Sequence, residues 1–191
     1  MRQNRTNEES LIRRRQLEDE LFRTMLQKPY IEISVSDLCE QAGVSRKSFY
    51  RYYGNKDGCL NALLDRVLMN NVSGQGKIDL SAGIHSPVLL QAMEYWMEQK
   101  PLLDLITENG LQSRLLERCF LHVGSEKQDA LRWLGIMDIE REPEDAIFSV
   151  TGFVAVLLSW SQNGFPRSPE EMARILTRIW TQPLMKLSQE L

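Results

Sequence analysis

This chain of 191 residues is poor in the residues and motifs on which enzymes and metal sites depend. It has only two histidines, His85 and His122, and it contains no nucleophile motif and no glycine-rich loop of the kind that binds phosphate. Its three cysteines lie 20 and 60 positions apart, so no pair has the spacing of a zinc or redox motif. We therefore expect no catalytic site, no metal and no cofactor.

The sequence also lacks the signals of a secreted or membrane-inserted protein. An odd number of cysteines without a signal peptide favours a reducing cytoplasm. Residues 146–166 form a stretch of 21 positions without a charged side chain, which is long enough to span a bilayer. Only 12 of these residues are apolar, and serine, glutamine and asparagine are mixed among them, so we expect a buried helix there.

An overall excess of positive charge, which is common in nucleic-acid-binding proteins, is missing, since the net charge is −3. The charge is unevenly distributed, however. Residues 1–60 contain 11 Lys and Arg against 9 Asp and Glu, a net of +2, whereas residues 61–191 contain 12 against 17, a net of −5. Positive charge is thus concentrated at the amino end, and an acidic body discourages non-specific wrapping of DNA.

What the sequence does contain is a helix-turn-helix pattern between residues 34 and 56. Ser34 stands three residues before Asp37, a capping-box spacing that starts a helix. Gly43 is placed to end that helix, because glycine readily adopts the left-handed conformation. Ser45 is a good N-cap for the next helix, and Gly54 is placed to stop it. The whole pattern takes roughly 20 residues, as two short helices and a turn require.

The second helix of this pattern has the composition of a DNA-reading helix. Its first turn presents Arg46, Lys47 and Ser48, at the end of such a helix that meets base edges in the major groove. Arginine and lysine pair with the acceptors of guanine, and serine donates or accepts. Contacts to phosphate oxygens, which set the register on the duplex, are expected from the residues that follow. These are Tyr50, Arg51, Tyr52 and Lys56.

The run AGVSRKSFYRYYGNKDGCL resembles the TetR-type bacterial transcriptional regulators. Residues 42–45 match the turn of that family, Tyr50 and Tyr52 match its aromatic pair, and Lys56 matches its lysine. The departures are mild, among them Tyr53, which stands where phenylalanine is usual. The specific likeness covers roughly residues 8–65 and becomes a general likeness of helical pattern and length beyond them.

The resemblance implies a role for each matching residue. It assigns base reading to Arg46, Lys47 and Ser48 at the start of the second helix. It assigns phosphate contact to the aromatic pair and the lysine, which are Tyr50, Tyr52 and Lys56. It assigns contact with the DNA backbone to Ser34 and Ser36 of the preceding helix.

Helical periodicity along the rest of the chain predicts an all-α protein of about nine helices. Residues 1–58 are expected to form a three-helix DNA-binding domain that contains the helix-turn-helix. Its first helix runs from about Glu8 to Lys28, after a short polar arm. Residues 59–191 are expected to form a helical domain for ligand binding and dimerisation, as the resemblance implies.

The last two predicted helices suggest that the chain pairs with a second copy. The helix from Glu144 to Asn163 is apolar nearly all round, so it must be covered on two sides. One side can be the core of its own chain, and a second copy is the simplest cover for the other. The alternative is that both helices are ordinary monomer core. The residues expected at the dimer interface are Gly152, Val156, Trp160, Met172, Ile175 and Ile179.

The middle helices are rich in methionine and aromatic residues, which line adaptable apolar pockets but equally form cores. The resemblance implies a pocket for a small-molecule effector in this region, and the sequence does not reveal its chemistry. The candidate lining residues are Met93, Trp96, Met97, Phe120, His122, Trp133 and Phe148.

The hypothesis that unites these expectations is a dimeric transcriptional repressor. It binds a palindromic operator on double-stranded DNA, because a two-fold dimer holds two reading helices about one turn of DNA apart, roughly 34–36 Å. A ligand that changes this spacing releases the DNA. The alternative hypothesis is a helical protein-interaction module whose helix-turn-helix no longer binds DNA.

Overall fold

The computed structural model describes residues 2–73, 87–123 and 143–181, and every regular element within these ranges is a helix. This confirms the predicted all-α fold. A 3-10 turn, Tyr30–Glu32, lies between the first two helices. The nine α-helices of the described ranges are α1 (Arg2–Met25), α2 (Val35–Gln41), α3 (Arg46–Tyr53), α4 (Lys56–Ser73), α5 (Pro87–Glu98), α6 (Lys100–Glu108), α7 (Gln112–Val123), α8 (Pro143–Gln162) and α9 (Pro169–Thr181). Residues 125–142, whose sequence is also compatible with a helix, lie outside the described residues.

The chain divides into two compact units. We call the first the head, which comprises Met1–Leu68 with Leu105–Arg118, and the second the body, which comprises Met69–Asp104 with Cys119–Leu191. The helices α4, α6 and α7 each contribute residues to both units. The functional boundary expected at residue 58 stays a prediction.

The first helix starts earlier than expected. It begins at Arg2 and ends at Met25, whereas the periodicity of the sequence predicted a start near Glu8 after a polar arm. The segment before Glu8 contains neither proline nor glycine. Nothing in it therefore stops the helix from extending toward the amino terminus.

The caps of the helix-turn-helix are those that the sequence predicted. The Oγ of Ser34 accepts a hydrogen bond from the backbone N–H of Asp37 at 3.0 Å, and the Oγ of Ser45 accepts one from the N–H of Ser48 at 3.2 Å. Gly43 and Gly54 have φ angles of 63° and 72°. A side chain at either glycine would be strained in this left-handed conformation, so these four residues fix where α2 and α3 begin and end.

The core of the head forms where α1, α2 and α3 pack on one another. The side chains of Cys39 and Cys59 are buried there. Burial, aided by the nearby Glu18 carboxylate, raises the pKa of the Cys59 thiol to about 12, so this thiol packs as a neutral, small apolar group. The fully buried aliphatic and aromatic residues of this core are Leu17, Leu21, Leu38, Phe49, Leu60 and Leu64.

In the body, α9 packs on α5. The start of α9 is a capping box, in which the N–H of Glu171 donates to Ser168 Oγ at 3.3 Å and the N–H of Ser168 donates to Glu171 Oε2 at 3.0 Å. The turn before it holds Phe165 at a φ of 54°, which is rare for an aromatic residue. The ring of Phe165 packs edge-on against Trp160, with centroids 4.5 Å apart, and this contact stabilises the turn.

The uncharged segment from residue 146 to 166 lies mainly in α8. Its buried side chains include Val150, Phe153 and Leu157. Among the described residues, no helix combines the length and the apolar character that crossing a bilayer requires.

Gly58 is the position in the head where a side chain has least room. A Cβ built on it would lie 2.1 Å from the backbone carbonyl oxygen of Tyr53, so the ends of α3 and α4 approach closely there. We expect Gly58→Ala to lower the free energy of unfolding by about 1–3 kcal/mol, the usual cost of overpacking. Urea denaturation measures this change. Helix propensity alone would give the opposite sign, a gain of about 0.5–1 kcal/mol, and such a gain would contradict the close contact.

Candidate nucleic-acid interface

The exposed face of α3 carries the residues that the sequence predicted to read bases. Arg46 and Lys47 are exposed in its first turn, and Ser48 is half-buried beside them. Lys47 and Arg51 point outward because Phe49, two positions from each and on the opposite side of the helix, is fully buried in the core of the head. The partial positive charge of a helix amino terminus adds to the two cationic side chains.

The hydroxyl of Ser48 keeps a proton that it can donate to a ligand. Ser45 Oγ donates to Ser48 Oγ at 3.0 Å, while the same Ser45 oxygen caps the helix by accepting from the Ser48 N–H. The proton of the Ser48 hydroxyl is not used in either bond. A hydroxyl donor beside two exposed cations suits the acceptor atoms of base edges or phosphates.

The second half of α3 groups the predicted phosphate contacts. Tyr50 is 45% exposed, with its ring edge-on to Phe49 at 5.7 Å. The guanidinium of Arg51 lies 5.0 Å from the centroid of the Tyr52 ring and donates to the Tyr52 hydroxyl at 3.2 Å. Burial acts to raise the pKa of Tyr52, but its hydrogen bonds with Ser10 and Arg51 outweigh that effect and lower it.

The two serines of the preceding helix are both exposed at the start of α2. Ser36 has an exposed side chain in the first turn, whereas Ser34 is occupied as the N-cap. The carboxylate of Asp37 lies nearby and pairs with Lys28 at 3.2 Å. Hydrogen bonding from the Ser34 cap and from Lys28 lowers the pKa of Asp37, so this acid is charged and neutralised within the head.

Lys56 occupies a different environment from the other predicted phosphate contacts. Its Nζ donates to the backbone carbonyls of Tyr30 at 2.7 Å and Ile33 at 2.8 Å, and more weakly to that of Ile31 at 3.4 Å. It also lies 4.4 Å from the centroid of the Tyr30 ring. Burial lowers the pKa of this ammonium. Lys56 therefore ties the 3-10 turn to the start of α4, and its contact with phosphate stays a prediction.

Apart from Lys56, the cations of the head whose side chains are described fall into two groups. Those of the first group pair with carboxylates: Arg23, Lys28, Arg66, Arg114 and Arg118. Those of the second group are exposed on α1 and α3 and have no ion-pair partner among the described side chains: Arg13, Arg14, Arg15, Arg46, Lys47 and Arg51. A cation without an internal partner is available to an external anion.

Sequence reasoning missed a polar cluster around Tyr30, which connects the helix-turn-helix to the corner between α6 and α7. The backbone N–H of Tyr30 donates to Asn109 Oδ1 at 2.6 Å, and its hydroxyl donates to Asp57 at 2.6 Å. Arg114 lies 3.4 Å from the same Asp57 carboxylate. The hydrogen-bond partners in this cluster are separated by up to 79 positions along the chain, so no local sequence pattern predicts these contacts.

Arg118 adds a second connection between α7 and α4. Its Nε and Nη2 donate to the two oxygens of Asp65 at 2.7 and 2.6 Å. This bidentate geometry is specific to arginine and is stronger than a single neutral hydrogen bond. All of these groups lie within the head.

The predicted effector-pocket residues are dispersed over several environments. Met93 and Trp96 are buried in α5, and Phe120 and His122 are half-buried in α7. Met97 and Phe148 are exposed, by 39% and 69%. Trp133 lies outside the described residues.

The predicted dimer residues divide in the same way. Trp160 and Met172 are already buried within their own chain, whereas Gly152 is exposed and Val156, Ile175 and Ile179 are half-exposed. Several of them border an open groove of about 550 Å³. The groove is lined by Ala155, Val156, Ser159, Trp160, Asn163, Pro166, Arg167 and Met172.

Lys56 can be tested for a structural role by Lys56→Met, which removes the ammonium but keeps a long side chain. We expect the free energy of unfolding to fall by about 1.5 kcal/mol, since backbone carbonyls lose a charged donor at a partly exposed site. Urea denaturation measures this effect. A salt titration of DNA affinity on the same variant tests for a phosphate contact. The loss of such a contact would change the slope of log affinity against log salt by about 0.9 for each protein chain bound to the duplex. Unchanged stability would contradict the tie to the 3-10 turn.

Comparison with known proteins agrees with this geometry at the amino end. Residues 19–63 match a family model described as bacterial regulatory proteins, tetR family. The chain is 49% identical over 41 residues to the HTH-type transcriptional regulator EthR of Mycobacterium tuberculosis, a match that spans 22% of this chain and 19% of that protein. It is 43% identical over 47 residues to EthR of Mycolicibacterium smegmatis, spanning 25% of this chain and 22% of that protein. These matches thus span about a fifth of the length of the curated relatives.

Two solved structures are similar over longer stretches but at low identity. One is the TetR family repressor AlkX from Dietzia sp. strain DQ12-45-1b, implicated in biodegradation of n-alkanes, with 19% identity, a TM-score of 0.47 and coverage of 86% of this chain and 93% of that one. The other is a tetR-family transcriptional regulator from Streptomyces coelicolor, with 22% identity, a TM-score of 0.45 and coverage of 87% and 77%. The relationship rests on the amino-terminal match, which shows that residues 19–63 are similar to the tetR family of bacterial regulatory proteins.

Proposed function

We propose that this protein is a dimeric, sequence-specific transcriptional repressor that is released from a palindromic DNA operator by a small-molecule effector. The observation that carries the proposal is the set of exposed cations on α3, which have no ion-pair partner among the described side chains. The match of residues 19–63 to a family of bacterial regulators supports it. A reducing cytoplasm, where such a regulator meets DNA, is part of the same proposal.

Within the head, some cations are paired with carboxylates and others have no such partner among the described side chains. Ion pairs neutralise several cations of the other helices, as for Arg118 and Asp65, whereas Arg46, Lys47 and Arg51 project from one helix without such partners among the described side chains. A duplex offers one phosphate charge for about every 1.7 Å of its axis. Arginine and lysine in the first turn of α3 are suited to guanine edges, and Arg51 to a phosphate.

The proposed dimer is supported by an exposed apolar face on α8. Ile147 is 52% exposed and Phe148 is 69% exposed, and Gly152 and Ala155 are exposed one and two turns further along the helix. A helix face of this kind is normally covered in the assembled protein. A second copy of the chain would cover it across a two-fold axis and would hold two α3 helices on one duplex.

The proposed response to an effector is supported by the polar cluster around Tyr30. Asn109 and Arg114 stand at the corner between α6 and α7 and bind the 3-10 turn and the start of α4. An effector that binds one arrangement of these helices better than another would change the orientation of α3 through these bonds. The effector itself is not identified by the residues that were expected to line its pocket.

The alternative is a helical protein-interaction module that does not bind DNA. No observation on α3 favours it, because its exposed side chains are cationic and hydrogen-bonding rather than apolar. Selection of bound sequences from random duplex DNA at two salt concentrations distinguishes the two functions. A palindromic product that persists at the higher salt supports the repressor, and failure to retain any sequence in dilute buffer excludes it.

The base-reading residues can be tested by Arg46→Ala and Lys47→Ala on the selected duplex. We expect each to lower the free-energy difference between the selected and a scrambled duplex by about 1–3 kcal/mol, because a base contact is lost while phosphate contacts remain. Fluorescence anisotropy with both duplexes measures this difference. Lys28→Ala is the control, since Lys28 is paired with Asp37. Equal discrimination by all three variants would contradict the assignment.

The dimer can be tested by Gly152→Arg, which places a charge on the exposed face of α8. A Cβ at Gly152 meets no atom within 4 Å in the single chain, so the monomer is expected to fold. We expect the dimer dissociation constant to rise by about tenfold or more, a change of about 1.4 kcal/mol, as measured by sedimentation at several concentrations. Ser113→Arg, at an exposed position of α7, serves as the control. A Gly152→Arg protein that dimerises like wild type would remove this face from the interface.

A further inference from the structure

The helix α1 carries cations that the helix-turn-helix pattern does not assign to any function. Arg13, Arg14 and Arg15 are all exposed and have no ion-pair partner among the described side chains. Elsewhere in the head, comparable arginines such as Arg66 and Arg118 are held by carboxylates. The exposed arginines of α1 therefore need an explanation beyond the stability of the head.

Two consecutive tyrosines at the end of α3 hold this part of α1 against the recognition helix. The hydroxyl of Tyr53 lies 2.8 Å from the carbonyl oxygen of Arg14 and 2.9 Å from Oε1 of Glu18, and shares its proton between them. The hydroxyl of Tyr52 is hydrogen-bonded to the side chain of Ser10. One tyrosine thus fixes α1 near residue 14 and the other fixes it one turn earlier.

The Tyr53 contact depends on its phenolic hydroxyl, which a phenylalanine would not have. Its acceptor Glu18 has a side chain only 7% exposed and also lies 2.8 Å from Nε of Arg66 on α4. The guanidinium of Arg14 lies 5.6 Å from the centroid of the Tyr53 ring. This chain therefore uses polar groups to hold α1 in a set register with α3 and α4.

The arginines of α1 stand on two different sides of the helix. Arg13 stands next to Arg14, whose guanidinium lies over the Tyr53 ring, and three positions after Ser10, so it is on the side of α1 that meets the end of α3. Arg15 is two positions beyond Arg13, a rotation of about 200° along the helix, so its side chain projects on nearly the opposite side.

We propose that the stretch of α1 from Ser10 to Arg14 is a second DNA-contacting element, in which Arg13 and Arg14 bind backbone phosphates beside the half-site read by α3. The proposal rests on the DNA-binding function proposed above. This stretch lies next to the cationic face of α3, with Tyr52 between them. The hydrogen bonds of Tyr52 and Tyr53 hold the stretch in place in the protein without DNA. Preorganised cations of this kind add affinity and salt dependence without adding base selectivity.

The test is a salt titration of affinity for the selected duplex, by fluorescence anisotropy, with Arg13→Ala and its matched control Arg15→Ala. Each phosphate contact contributes about 0.9 to the slope of log affinity against log salt. We expect Arg13→Ala to make the slope shallower by about that amount for each bound copy, to weaken selected and scrambled duplexes equally, and to leave the urea midpoint unchanged. Arg15→Ala should keep the wild-type slope, and Arg13→Lys should restore it because the charge is retained.

A second variant examines the tyrosine link. Tyr53→Phe keeps the ring but frees α1 from its register, so we expect Arg13→Ala to change the slope less in the Tyr53→Phe background than in wild type. An Arg13→Ala protein with the same slope as Arg15→Ala overturns the inference. If the slope of Arg13→Ala is unchanged but Arg46→Ala still loses discrimination between the two duplexes, the proposed function stands without this inference. If the wild-type chain retains no DNA, the proposed function and this inference are both wrong.

Discussion

The burial of Phe49 is the constraint on which the geometry of the head depends. Its side chain is fully enclosed by the core that α1, α2 and α3 form. Because successive helix residues are rotated by about 100°, fixing Phe49 inward turns Lys47 and Arg51, each two positions away, to the opposite side, which faces solvent. The loss of a buried aromatic side chain typically costs about 3–5 kcal/mol, a large share of the stability of a small unit. The same contact that folds the head therefore presents its cationic face.

Charge pairing separates structure from function in this head. Ion pairs and charged hydrogen bonds connect distant segments, as between Arg118 and Asp65 or between Lys56 and the carbonyls of the 3-10 turn. Paired charges of this kind resist an external anion, since their donors are already occupied. The exposed arginines and lysine of α1 and α3, without ion-pair partners among the described side chains, remain for such an anion. Lys56 shows that the donors of a basic residue inside a recognised motif can be occupied by backbone carbonyls of the same chain.

Much of the helix-turn-helix was predictable because its determinants are local. Serine caps, left-handed glycines and a single inward aromatic residue act over three or four positions, so the bounds of α2 and α3 followed from the sequence. The extension of α1 to Arg2 did not, since a polar segment without proline or glycine is compatible with either a helix or an arm. The capping box at Ser168 was readable for the same local reason as the serine caps.

By itself, the sequence determined the all-helical class, the place of the helix-turn-helix and the cationic character of α3, since caps, periodicity and local charge are properties of neighbouring residues. Only the tertiary structure decided which cations are paired, because the partners of Lys56, Tyr30 and Arg118 lie 23 or more positions away along the chain. It also decided that Trp160 and Met172 are buried within one chain while Gly152 is exposed, since burial depends on which helix packs on which. Pairing and burial arise when distant segments meet, and no short stretch of sequence contains both partners.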